Sequence, residues 1–255
     1  MVYWFFSPDV AFLSRLMATT VPPYLYWMAA CETAFALRAR SFFSPGQTLR
    51  FAWGWFAAAG LLRLIGFLMS YVLGFPLTGR LVSGLFAGLL TLLGLFRVSA
   101  TLRAANLQAS LRLPDRVILA VLWLYVLHHF SLVVPEVVRD GLISPIRNAL
   151  WLVAPMLLVL TWQALLIRRS MKALGDGRLA HCWGALAAST LFIVVGNIGQ
   201  LAQPLLHLSA GPWLLLDCLW ILPYPFAALA PALQVEASAL ALDSSALRAL
   251  DQKNS

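Results

Sequence analysis

Charge is scarce in this chain: only 11% of its 255 residues are Asp, Glu, Lys or Arg. Soluble domains carry about a quarter charged residues. With 61% hydrophobic residues and a mean hydropathy of +0.83, a water-soluble fold is excluded. Cysteine is scarce too. Cys31, Cys182 and Cys218 form no CxxC pair, which leaves no disulfide framework and no structural zinc site. Common enzyme motifs are missing: there is no HExxH, no GxSxG elbow, no P-loop and no GxGxxG. No catalytic or metal-binding set stands out, and no motif requires a cofactor. The connections between apolar runs are too short for a kinase, nucleotide-binding or extramembrane ligand domain. The first residues have no basic stretch before their apolar ones and no small-residue cleavage pattern, so no removable signal peptide is expected.

Long apolar runs, in contrast, are abundant. About seven can cross the hydrocarbon core as helices of roughly 17 to 25 residues. They lie near Pro22 to Leu37, Arg50 to Phe75, Leu81 to Ala100, Arg116 to Val134, Asn148 to Ile167, Cys182 to Ala202 and Trp213 to Val235. The expected architecture is an all-α, polytopic membrane helix bundle. Residues 22–235 form its transmembrane domain, 1–21 an outer-face interfacial segment and 236–255 a cytoplasmic tail. Pro22 and Pro23 either open the first span or kink a longer helix that begins at Ser7-Pro8-Asp9, where serine caps and proline suits the first turn.

Orientation follows from the arginines, because cytoplasmic loops retain positive charge. Thirteen of the 18 Lys and Arg fall in alternate connections and the tail, from Arg38, Arg40 and Arg50 to Arg248 and Lys253. The N-terminus is therefore expected outside and the C-terminus inside, in a bacterial-type inner membrane. The formal charge of +8 is explained by topology, and no basic domain exists to hold nucleic acid. Membrane lipids and membrane-protein partner subunits are the expected partners. Trp4, Trp53, Trp55, Trp151, Trp183 and Trp213 stand near span ends, where tryptophan anchors a helix at the interface. The same seven-span plan occurs in retinal proteins, whose Schiff base needs a lysine in the last span. Here the only lysines are Lys172 in a connection and Lys253 in the tail, so the likeness stops at topology.

Ionisable groups inside a bilayer are costly and face other helices or water. At a rise of 1.5 Å per residue, Arg63 comes out about 20 Å above the cytoplasmic boundary, and Asp217, descending the last span, about as high. His128, His129, Asn197 and Gln200 fall near the same height. The expectation is a candidate polar layer of Arg63, His128 or His129, Asn197 and Asp217. Glu32 belongs to the inner half, with Gln163 nearest by depth. Arg63 pairs with Asp217, or with Glu32 if the span boundaries move by one turn, about 5 Å. Gly84 with Gly88 and Gly196 with Gly199 suit close helix packing, and prolines 223, 225 and 231 loosen the last span.

Three functions fit. The first is a non-catalytic accessory or scaffold subunit of a larger membrane complex. The second is a seven-helix sensor that binds an apolar ligand or lipid and signals through a partner. The third is a proton-coupled small-solute transporter. No convincing internal duplication is visible and seven spans do not divide into equal halves, which weighs against a transporter. One duplicated unit plus an extra helix would reconcile the two.

Overall fold

The computed structural model describes the backbone of residues 10–73, 76–140, 145–175, 177–206 and 221–254. Within these, it describes the side chains of 19–73, 82–131, 134–135, 152–175, 177–196 and 221–241. Seven helices occupy the described residues: α1 (Val10–Ser41), α2 (Thr48–Tyr71), α3 (Pro76–Ala104), α4 (Leu113–Asp140), α5 (Pro145–Ala173), α6 (Gly177–Leu206) and α7 (Pro223–Asn254). Five of them, α2 to α6, are long and apolar enough to cross a membrane. The chain is thus an all-helical membrane bundle. In lipid, helices satisfy every backbone polar group internally, so long apolar sequence folds this way.

The helix ends follow local chemistry. In the α1–α2 turn, Gly46 takes φ +90° and in the α5–α6 turn Gly175 takes φ +83°, a conformation that needs glycine. The Gln47 side chain accepts from the Ser44 N–H at 2.8 Å, and Arg50 donates to the Phe43 carbonyl at 2.8 Å. Pro22 and Pro23 lie inside α1, which runs unbroken from Val10 as the longer-helix alternative anticipates. Likewise α7 continues past Val235 to Asn254. The expected boundaries after residues 21 and 235 therefore fall within continuous helices.

The principal contacts run α1 to α2, α2 to α3, α3 to α5, α5 to α6, α6 to α7 and α7 back to α1. Six helices close a ring, while α4 lies outside it against α5. Val117, Val121, Trp123, Leu124 and Leu127 on α4 are exposed, as a lipid-facing helix requires. Trp53, Trp183, Leu95, Leu122 and Ile167 are the largest fully buried apolar side chains.

The ring divides into two three-helix units, α1–α2–α3 and α5–α6–α7, with α4 as an extra helix, and each helix contact within the first unit has a counterpart in the second. Residue contacts match as well. A Cβ on Gly54 would lie 3.8 Å from Arg40, and one on Gly184 would lie 3.2 Å from Arg168. Likewise, a Cβ on Gly60 would lie 2.6 Å from Thr33 Oγ1, whereas Thr190 and Thr161 join hydroxyls at 2.7 Å. Arg40 to Arg168 and Thr33 to Thr161 are both steps of 128 residues, and Gly54 to Gly184 and Gly60 to Thr190 both steps of 130. The hydroxyls of Thr33 and Thr161 both donate to the carbonyl four residues back, at 2.8 and 2.9 Å. The unpaired α4 returns the chain across the bundle, so the second unit starts in the same direction as the first. That odd helix is why the seven helices hide two units of three.

Candidate functional site

Glu32 on α1 and Arg63 on α2 form an ion pair inside the bundle through Oε1 and Nη1. Their side chains are 7% and 18% exposed. Arg63 Nη2 lies 3.4 Å from the Thr91 hydroxyl of α3, which donates to the Ala87 carbonyl at 2.8 Å. Three neighbouring helices thus supply a carboxylate, a guanidinium and a hydroxyl. Depth counted along the helices separates Glu32 and Arg63 by about 9 Å. The two helices run antiparallel, however, and every Cα–Cβ bond tilts toward its own helix N-terminus. The arginine therefore reaches toward the basic end and the glutamate away from it, and the heads meet between. Asp217, the other expected partner, lies outside the described residues.

Beside this pair is a small cavity of about 10 Å³, lined by Glu32, Trp53, Phe56, Thr91, Trp183, Leu186, Ala227, Ala230 and Pro231. It sits where the two three-helix units face one another. Trp53 and Trp183, 130 residues apart and both followed by glycine, come from equivalent helices, with ring centroids 5.9 Å apart. Each is 1% exposed, and neither indole N–H has a hydrogen-bond partner among the described residues. Pro231 has no N–H, so the Ala227 carbonyl one turn earlier receives no helical hydrogen bond from it.

The two tryptophans correct the expectation of interfacial anchors. Both face the bundle interior, where their large rings fill space between α2 and α6, and Trp55 at 39% exposure is left to face outward. The repeated Trp-Gly pair, matched with the arginine step from α1 to α5, was the available signal. Of the other expected site residues, His128 is exposed on α4. His129 is half-buried between the rings of Tyr125 and Phe130. Their helix is the peripheral one, so the structure brings Arg63 to Glu32 and Thr91 rather than to His128. The side chains of Asn197 and Gln200 lie outside the described residues. Gln163 is buried, and its Oε1 has no partner among them. Gly88 packs against Met156 of α5, while nothing lies within 4 Å of a Cβ on Gly84.

A second buried ion pair fixes the basic end. Asp115, 2% exposed in the first turn of α4, accepts from Arg169 Nε of α5 at 2.5 Å and from the Arg112 N–H at 3.1 Å. Its carboxylate thereby satisfies a helix-start donor as in a capping box. Ser170 accepts from the Ala109 N–H at 2.9 Å, tying the α3–α4 connection to α5. In the sequence Arg169 stands only as one of the thirteen charges of the connections and tail. Asp115, three residues after Arg112 at a helix start, was the cue to this clamp.

The chain matches no protein-family profile, no curated protein and no solved structure.

Proposed function

We propose that this protein is a small-solute carrier in which two three-helix units rock about a polar site between them. The observation that carries this reading is the two-fold ring, with the Glu32–Arg63 pair of the first unit set so that Glu32 lines the cavity where the units face one another. Carriers built from parallel repeats bind solute at such a junction, and alternating access follows from one repeat moving against the other. The lack of a visible repeat weighed against a transporter, and the corresponding contacts of the two units remove that objection. Glu32, Arg63 and Thr91 line the path, and coupling to protons is the finer part of the proposal. The small interior cavity corresponds in this reading to a closed form. A second reading keeps some support from that same closure: an accessory subunit of a membrane complex needs only a well-packed interior and a lipid-facing helix such as α4.

Uptake into vesicles reconstituted with the purified protein tests this, using a panel of polar solutes with and without an imposed proton gradient. Protein-dependent uptake that Arg63→Met abolishes, with the variant still folded, supports the carrier. No uptake of any solute, together with stoichiometric co-purification of other membrane subunits, overturns it in favour of the accessory reading.

A further inference from the structure

We propose that the cavity between Glu32, Trp53 and Trp183 binds one water molecule that joins the two three-helix units. The space, about 10 Å³, is about what one water requires, and a buried water needs two to four polar partners. The lining supplies them with the right chemistry. Trp53 Nε1–H from α2 and Trp183 Nε1–H from α6 are donors without another partner among the described residues. An indole N–H only donates, so each needs an acceptor that the apolar rings around it do not offer. A water oxygen has two lone pairs and accepts from both.

The two O–H bonds of that water need acceptors in turn. Glu32, which lines the cavity, gives Oε1 to Arg63, and its second carboxylate oxygen, Oε2, serves the water as one acceptor. The Ala227 carbonyl, which gets no helical donor from Pro231, is the other. All four bonds of the water are then made, with Glu32 and Trp53 from the first unit and Trp183 and Ala227 from the second. A net-charged ion in this place would be uncompensated, because Arg63 and Glu32 already cancel each other. The site therefore takes an uncharged molecule.

The water and the carrier reading stand separately, since the water is a property of the closed form and needs no flux. The first test is a density map of the wild-type protein in a lipid nanodisc at about 2 Å. A peak within about 3.2 Å of both indole nitrogens supports the site, and a featureless cavity overturns it. The second replaces Trp53 or Trp183 by 3-benzothienylalanine, in which sulfur stands where the N–H was. Removing a donor that serves the water lowers Tm by about 2 to 4 °C. An unchanged or raised Tm means that the N–H had no water to serve, and overturns the proposal. The map decides the matter if either variant fails to fold.

Discussion

At the scale of residues, the Arg63–Glu32 pair governs what the interior tolerates. Both groups have left water, so removing one strands the other's charge at a cost of about 3–5 kcal/mol, while removing both can be nearly neutral. Arg63→Met is expected to lower the unfolding temperature in detergent sharply, and Glu32→Gln combined with Arg63→Met to recover most of the loss. A double variant as unstable as the single one would mean that the pair is not the main partner of either group. The participants were legible in the sequence, because buried charges are few and each stands out. Their pairing was not, since Cα depth ignores the tilt of side chains toward each helix N-terminus. Trp53 and Trp183 misled for a related reason. A tryptophan one or two turns inside a span suits the interface and the core equally, and only helix rotation distinguishes them.

At the scale of elements, small residues set how closely helices approach. A Cβ on Gly60 would meet Thr33 Oγ1 at 2.6 Å and the Thr33 backbone nitrogen at 3.1 Å, so α1 must move to admit it. Gly60→Ala is expected to destabilise by about 1–3 kcal/mol. Gly84→Ala, with nothing within 4 Å, is expected to be neutral or slightly stabilising. Thermal unfolding of the two variants side by side checks this; equal effects would contradict the α1–α2 contact. The basic-end clamp gives a second prediction at this scale. Asp115→Ala removes the acceptor for Arg169 and the Arg112 N–H, and charged hydrogen bonds of this kind contribute about 1.5–3 kcal/mol. Hydrogen exchange across residues 105–112 should accelerate by about tenfold or more. Unchanged exchange would mean that the connection is held by something else. Helical type was readable because apolar length dictates it, and five of the seven helices in the described residues are long and apolar enough to span. The repeat was not, because lipid-facing positions accept almost any apolar residue and only the contact points are kept.

At the scale of the whole molecule, the α1–α2 and α5–α6 turns lie at one end of the bundle, and α4 brings the chain back for the second unit. By the arginine distribution, that end is expected in the cytoplasm. Cysteines placed at Ser44 and Leu174 should react with an impermeant thiol reagent only from the cytoplasmic side, and one at Leu73 only from the opposite side. The reverse pattern would invert the orientation. Ring order was beyond the sequence, since apolar faces do not say which neighbour they meet. With α4 outside the ring, histidines that share a depth with Arg63 do not share its surroundings.

Motion of the two three-helix units against each other, as proposed above, would change distances between them at both ends of the bundle. The most direct measurement uses paired spin labels in nanodiscs, on a variant whose three cysteines are replaced by alanine. One pair sits at residues 44 and 174 on the basic face, the other at 73 and 222 on the opposite face. Rocking units give two distances for each pair, with the wider one on one face matched in population by the narrower one on the other. A single narrow distance on both faces, unaltered by Arg63→Met, would contradict it and leave a rigid bundle.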